Sequence, residues 1–486
     1  MNRATEIITT TFKGPSLLNQ RSIKKAALVA HLAVLLFTTA CTGYHRRPLV
    51  DRQLLRELDA IRLDALGPSS VGGQQPMPSV DTAVGLSVDQ AIAVALFLNP
   101  ELRAFRKERG VAEGELISAR LIPNPEISAS TLGNLQNITG GLSSSSLSLL
   151  VAPPRPGERG AKIARAEARI DQVRNEISAK EWNLATEVRK AYLGAWAAEE
   201  KLRLANASLQ IQERIRTYYQ QKRQLGDASR LDLNLVTIEY NQVRREHEKV
   251  AGDRDQTRQF LNALLGLPPL QEVQLHSTSD PLAYRAFSLD TGALEFLMLE
   301  RRSELAAAKA EYEQAERNLQ LAYLQRVPWL RVGPSYEQES GGGESTVNRL
   351  GLGFGIDLPL FNLNQGEIAT RAAERDALRE AFKAKLHAAR AELNESYRNL
   401  RAQEWLIKLF QDSIRPALDE NAELTEAGFQ LREFDLIQLI TTQDKVLRSR
   451  QDFIDAELEY WKSAADLQLA IGTSLSEAES VKSVKP

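Results

Sequence analysis

The 486-residue sequence has one cysteine and five histidines. A single cysteine excludes a disulfide framework within the chain and any cysteine-rich zinc site. The histidines, His31, His45, His247, His276 and His387, are scattered and offer no spacing at which metal ligands converge. His247 stands among Arg244, Arg245, Glu246 and Glu248 and reads as a solvated side chain. Charge of one sign is lacking too. The 61 basic residues meet 63 acidic ones, a net charge of −2, so nothing is present to neutralise a nucleic-acid backbone. Aromatics make up only 6%, little for a conventional globular core. No apolar run reaches the roughly 18–20 residues of a membrane-spanning helix. No glycine-rich phosphate loop precedes a helix, and no nucleophile, acid and base fall into an enzyme pattern. No catalytic residue, cofactor or metal site is expected. What is present, 43% apolar and 26% charged residues, is a folding composition.

The N-terminus carries an address. Arg21, Lys24 and Lys25 precede the apolar stretch Ala26–Phe37, and Thr38-Thr39-Ala40-Cys41 follows. A positive segment, a short apolar segment and small residues form an export signal. With the only cysteine at its end, this resembles a bacterial lipoprotein signal, in which residues 1–40 are removed and Cys41 carries acyl chains. Thr38 departs from the leucine usual in such signals. The alternative is a cleaved secretory signal with an incidental cysteine. In the lipoprotein resemblance, Thr42 after the cysteine implies sorting to the outer membrane.

The sequence then repeats itself. Glu101-Leu102 recurs as Glu304-Leu305 and Ala112 as Ala315, an offset of 203. Pro123, Pro154, Ile163, Glu187 and Tyr192 recur at an offset of 205 as Pro328, Pro359, Ile368, Glu392 and Tyr397. Gln224-Leu225 recurs as Gln430-Leu431, and the segment ending at Gly266 as the one ending at Gly472, an offset of 206. The order is kept throughout, so the chain is two copies of one unit, longer than solenoid repeats.

Each unit reads as helix, strand, turn, strand, very long helix, turn, long helix. In the first, a helix over 87–98 breaks at Asn99-Pro100, and another runs over 100–121. From Gly157 to Leu267 there is no proline. The rows 163-170-177-184 and 188-195-202-209 are heptads separated by a skip of four, a stutter that locally unwinds a supercoil. A helix over 159–223 spans about 95 Å at 1.5 Å per residue, beyond an ordinary globular bundle. It turns at residues 225–229, where Gly226 suits a C-cap and Asp227 or Ser229 an N-cap. A return helix covers about 230–265. The second unit repeats this over 366–429 and 435–471, with Pro416 expected to bend the outgoing helix and a turn over 430–435.

The strands have a different pattern. Leu350-Gly351-Leu352-Gly353-Phe354-Gly355-Ile356 alternates large apolar residues with glycine, which suits a strand with lipid on one face and water on the other. Trp329–Tyr336 precedes it across Gly341-Gly342-Gly343, and the first unit offers Asn124–Leu132 and Ser144–Val151 around Gly140-Gly141. The alternative is a soluble hairpin packed on helices. Four such strands cannot close a barrel, and an open sheet in lipid leaves edge amides unpaired. Membrane embedding therefore requires several chains contributing four strands each.

These features together resemble the TolC-type outer-membrane efflux proteins, over residues 50–475. Local matches are Leu86–Ala91 leading to Asn99-Pro100-Glu101-Leu102, Pro123–Glu126, Leu358-Pro359-Leu360-Phe361 and Gly472. The Asn-Pro signatures look most like the heavy-metal cation branch, whose members serve cobalt–zinc–cadmium or copper–silver pumps. The resemblance implies a mainly α fold with a β-barrel part. Three chains would form a twelve-strand outer-membrane barrel and a periplasmic α-helical tunnel. Its organisation would be a signal (1–40), an N-terminal linker (41–85), a first repeat (86–285, strands about 124–151, long helices about 159–266), a second repeat (286–475, strands about 329–357, long helices about 366–471) and a tail (476–486). The implied function is a passive conduit from a periplasmic adaptor and an inner-membrane pump of the resistance-nodulation-division type. The hairpin tips, with Gly226, Asp227, Ser229, Arg432, Glu433 and Asp435, would form the periplasmic aperture and meet the adaptor. At Ala152–Pro156 and Arg432 the units depart from each other. Alternatives are an organic-compound or polypeptide secretion channel of the same fold, or a lipid-anchored coiled-coil protein without a pore.

Overall fold

The computed structural model describes residues 44–63, 85–132, 143–276, 280–340 and 346–481 apart from residue 432. Helix α1 (Asp51–Asp59) belongs to an N-terminal unit ending at Ala60 and buries none of its residues. The other elements belong to the unit Ile61–Pro486.

That unit contains the same series twice. The first is α2 (Val88–Leu98), α3 (Pro100–Arg106), α4 (Glu108–Arg120), β1 (Glu126–Leu132), β2 (Ser143–Leu150), α5 (Glu158–Leu225) and α6 (Arg230–Leu265). The second is α7 (Thr291–Arg301), α8 (Ser303–Leu324), β3 (Trp329–Ser340), β4 (Thr346–Asp357), α9 (Gln365–Leu409), a π-helical turn (Phe410–Ile414), α10 (Arg415–Gln430) and α11 (Leu436–Ile471), followed by α12 (Leu475–Ser480). Helix starts follow from side-chain chemistry. Ser87 and Gln90 close a capping box on α2, and the Asn99 side chain accepts from the Leu102 amide to start α3. Asn99 also donates through Nδ2 to the Leu264 carbonyl at 3.0 Å, tying the helix break to the end of α6.

At Pro416 the outgoing helix of the second repeat does not stop. The π-helical turn over Phe410–Ile414 leads into α10, with Pro416 in the first turn of that helix and helical backbone angles at both junctions. A π turn shifts the hydrogen-bond ladder by one residue, which accommodates the amide that proline lacks.

The 68 residues of α5 rise about 100 Å. Alanine is the commonest of its buried residues, at Ala161, Ala166, Ala191, Ala195, Ala198 and Ala205 among others, so neighbouring helices approach closely. It packs against α2, α4, α6, α8 and α11. Lys190 pairs with Asp466 and Lys201 with Asp455, which fixes α5 and α11 as antiparallel neighbours. The heptad row is buried at Leu184, Val188 and Ala195 but only half-buried at Ile163, Ile170, Ile177, Leu202 and Leu209. The middle of the helix is enclosed by its own chain, and the two ends keep an open side.

Each repeat has its own core at this middle level. One joins Leu86, Val94, Leu98, Val188, Tyr192, Leu261 and Leu265. The other joins Leu294, Leu297, Met298, Leu400, Tyr460, Leu467 and Ile471. In both, a left-handed glycine ends the return helix and touches the backbone of the first helix break: Gly266 (φ 74°) against Leu98 and Asn99, Gly472 (φ 72°) against Arg301 and Arg302.

Candidate functional site

The four strands form one antiparallel sheet in the order β1-β2-β3-β4. The register separates two faces. Ile127 pairs with Leu149, Ala129 with Leu147, and Leu147 with Tyr336. Tyr336 then pairs with Leu350, Pro334 with Leu352, Val332 with Phe354 and Leu330 with Ile356. Paired residues share a face, so these form one continuous apolar surface. It is open: Leu350, Leu352 and Phe354 are 84%, 78% and 77% exposed. Towards the turns the same face becomes polar, at Thr131, Ser145, Gln338 and Asn348, and the Tyr336 hydroxyl donates to Asn348 Oδ1 at the boundary.

The opposite face is hydroxylic and charged. Ser128 meets Ser148 and Ser130 meets Ser146 through their hydroxyls at 2.6 and 2.8 Å. Arg349 pairs with Glu339, and Arg331 with Asp357, each at 2.8 Å. Leu132, Leu150, Trp329 and Val347 are the large apolar residues on it. The sheet is open within the chain, with β1 and β4 as edges. Gly333 holds the seam between the repeats: a Cβ there would lie 1.8 Å from the Leu149 carbonyl oxygen. Both turn segments, Gly140-Gly141 and Gly341–Gly343, lie outside the described residues.

The corners from sheet to helix differ, as the sequence suggests. In the first repeat Trp329 donates from its indole nitrogen to the Pro153 carbonyl, and the Arg155 guanidinium lies 5.1 Å from the Trp329 ring. Burial pushes the Glu158 carboxyl up, but hydrogen bonds from Lys162 and the Arg155 backbone outweigh it and hold it below the usual range. In the second, Leu358, Leu360 and Phe361 stand exposed beside the end of β4.

At the far end of the long helices, the two tips use one plan with exchanged volumes. Gly226 (φ 83°) ends α5, its amide donates to the Arg223 carbonyl, and the Asp227 amide donates to Lys222. Ser229, not Asp227, is the N-cap of α6, in a capping box with Asp232. In the second tip the Glu433 amide donates to Gly428, the equivalent bond, and Asp435 caps α11 through the Gln438 amide. Arg432, at the position of Gly226, lies outside the described residues. Among the described residues the Asp227 and Glu433 side chains make no ion pair or hydrogen bond.

The sequence reading missed Gly428 and Phe434. The Phe434 ring occupies the space of a Gly428 Cβ, with ring carbons 2.4 and 2.6 Å from where it would stand. The first repeat has Lys222 and Ala228 at these positions, a large residue on the helix and a small one in the turn. The signal was a glycine inside a helix, unfavourable by about 1 kcal/mol against alanine, six residues before an aromatic.

Of the other residues singled out, Cys41 lies outside the described residues. His247 is half-buried rather than solvated, with Nε2 2.8 Å from Asn206 Oδ1 across the α5–α6 hairpin. Glu392 holds the buried Arg302 at 2.6 Å, and Tyr192 donates to the Leu86 carbonyl, so these repeated residues are structural. Among the described residues no three His, Cys, Asp or Glu side chains are grouped to hold a metal ion, and no helix is long and apolar enough to cross a membrane.

Residues 91–267 and 297–473 each match the family described as outer membrane efflux protein. The chain belongs to that family. The two matched segments are the two repeats, and the family makes this an outer-membrane efflux channel rather than an enzyme. Among its relatives is the cobalt-zinc-cadmium resistance protein CzcC of Cupriavidus metallidurans, 21% identical over 81% of this chain and 91% of the relative. The pyoverdine export outer membrane protein OpmQ of Pseudomonas putida is 24% identical over 64% of this chain and 67% of its own length. The efflux-family fold is shared with the crystal structure of CusC, at a TM-score of 0.67 and 17% identity, covering 89% of this chain and all (100%) of that one.

Proposed function

We propose that this efflux channel is the outer-membrane part of a tripartite export system for heavy-metal cations, and that it works as a homotrimer. The observation that supports several copies is the open four-strand sheet with an exposed apolar face and a polar one, and the number three comes from the resemblance to the TolC-type family. In lipid such a sheet needs its edges paired, and single-chain barrels start at about eight strands. Three copies supply twelve. The half-buried ends of the α5 heptad row are then covered by neighbouring chains. Residues 86–285 and 286–475 act as the two repeats of each subunit. A signal over 1–40 directs export, and acyl chains on Cys41 anchor the mature chain beside its barrel, by analogy with lipoprotein signals.

The cargo assignment rests on the relative CzcC, which spans more of this chain than OpmQ does. OpmQ favours a second reading, export of an organic compound. Growth of a deletion strain, with and without the restored gene, separates them. Across zinc, cobalt, cadmium, nickel, copper and silver salts beside dyes and antibiotics, sensitivity to metal salts alone is expected. Sensitivity to organic compounds alone removes the metal assignment and leaves the channel.

In this reading the tips meet the adaptor and close the periplasmic aperture. The free carboxylates of Asp227 and Glu433 pair with Arg432 of a neighbouring subunit, while Gly226, Ser229 and Asp435 shape the turns. Exposed pairs are each worth roughly 0–1 kcal/mol, weak enough for an adaptor and an inner-membrane pump of the resistance-nodulation-division type to open. Reversing charge at both Arg432 and Glu433 (R432E with E433K) restores a pair only if they pair with each other. Either single reversal is expected to raise the conductance of the isolated trimer in planar bilayers, and unchanged conductance removes the gating role.

A further inference from the structure

Away from the sheet and the tips, a cavity of about 470 Å³ opens where α5 of the first repeat meets α10 and α11 of the second. Half of its lining residues are apolar or aromatic, Trp196, Leu282, Phe410, Phe453 and Ile454 among them, and the other half are polar or charged. Phe410 and Phe453 lie 5.8 Å apart, ring centre to ring centre. Phe410 is the first residue of the π-helical turn, a departure from α geometry that often marks a functional position.

The charges around this cavity do not cancel. On α5, Arg203 pairs with Glu200 at 2.6 Å. On α10 and α11, Arg415 and Arg450 both approach Asp419, at 3.8 and 3.5 Å. Two carboxyls are left over. Asp280 uses one oxygen to accept from the Leu282 amide. Glu457 is 91% buried, with 9% of its surface accessible, and among the described residues it has no hydrogen-bond or ion-pair partner. The little of Glu457 that stays accessible opens on the cavity it lines, so the partner of its carboxylate has to come from that space.

We propose that this cavity binds a monovalent organic cation, an alkyl- or arylammonium, with the Glu457 carboxylate as counter-charge and the rings of Trp196, Phe410 and Phe453 as its walls. Aromatic faces attract such cations most when water is excluded. The volume falls within the usual range of small-ligand pockets, roughly 300–1,000 Å³. An anion is disfavoured because the four carboxylates of the lining, Glu200, Asp280, Asp419 and Glu457, outnumber its three arginines, each of which already lies against Glu200 or Asp419. A neutral ligand leaves Glu457 as it was.

The site titrates. Burial and the nearby Asp280 charge push the Glu457 carboxyl up to about 7, with Arg415 opposing. The cation favours the ionised form and a proton competes with it, so affinity rises as pH passes upward through that value. Between pH 6 and pH 8 the ionised fraction grows about tenfold, and the affinity with it.

The test is titration calorimetry of the full-length protein in a non-ionic detergent with benzyltrimethylammonium, beside benzyl alcohol and phenylacetate as neutral and anionic counterparts. Binding of the cation alone is expected, about tenfold tighter at pH 8 than at pH 6. Glu457→Gln is expected to weaken it at least tenfold and to remove the pH dependence, with the thermal midpoint retained or raised. Phe453→Leu, which keeps the charge, is expected to weaken it about threefold and leave the pH dependence. Equal binding of benzyl alcohol, or unchanged affinity in Glu457→Gln, overturns the proposal and leaves an apolar crevice. Absence of cation binding at pH 8 overturns it as well.

Discussion

Replacing Gly472 by valine is expected to remove the assembled protein from the outer membrane, whereas the same change at Gly226 is expected to be survivable. Both glycines have positive φ, 72° and 83°, and a side chain in that region costs about 1–2 kcal/mol. Their surroundings differ. At Gly226 a Cβ meets nothing within 4 Å, so strain is the whole penalty. At Gly472 it would stand 2.6 Å from the Arg301 carbonyl oxygen and 2.9 Å from the Arg302 Cα. That backbone cannot retreat cheaply, because the Arg302 guanidinium is held by Glu304 and Glu392 at 2.7 and 2.6 Å. Overpacking adds about 1–3 kcal/mol, and valine adds more than a bare Cβ. The combined loss is a large part of a typical stability of about 5–15 kcal/mol. Gly266→Val should behave like Gly472→Val, since its Cβ would lie 2.9 Å from the Leu98 oxygen. Thermal unfolding of the purified variants and the amount of heat-modifiable oligomer in outer membranes both report it. Equal losses in Gly226→Val and Gly472→Val would show that the docking of helix end on helix break is not what matters.

That pair of glycines was legible as a repeat but not as a contact. The offset of 206 residues aligns Gly266 with Gly472, and position alone marks both as helix ends. What each one touches comes from residues about 170 positions earlier, which no local pattern encodes. The same division holds elsewhere. The long helices were readable because a proline-free run with apolar spacing has few other solutions, and Ser229, Gly226 and Gly266 delimit them through local capping chemistry. The strands of the second repeat extend beyond the apolar alternation, to Ser340 and from Thr346, because their turn-proximal residues, Val347 apart, are polar on both faces and lose the period-two signal. Pro416 announced a disturbance, but the way it is absorbed depends on packing of the preceding turn. Glu457 was invisible. In the run Asp455-Ala456-Glu457-Leu458-Glu459 it resembles any charge on a solvated helix face, and its burial is created by α5 and the segment around Asp280.

The sheet yields the second large effect. Phe354→Arg is expected to abolish the heat-modifiable oligomer in the outer-membrane fraction, while Ser146→Arg is expected to preserve it. Phe354 stands between Leu352 and Ile356 on the exposed apolar face, opposite Val332. If that face meets lipid, an arginine near the bilayer midplane costs about 2–4 kcal/mol per site, and a trimer carries it at three sites. Ser146 lies on the other face, opposite Glu337, so an arginine there meets water and an acidic neighbour. A soluble sheet packed on helices predicts the reverse sensitivity or none, because Phe354 is already exposed and an arginine would only improve its solvation. Membrane fractionation of the two variants thus decides between lipid and water as the solvent of one particular face. Loss with Phe354→Arg alone supports the closed multi-chain barrel, because an open four-strand sheet could not keep its edge amides unpaired in the lipid so identified.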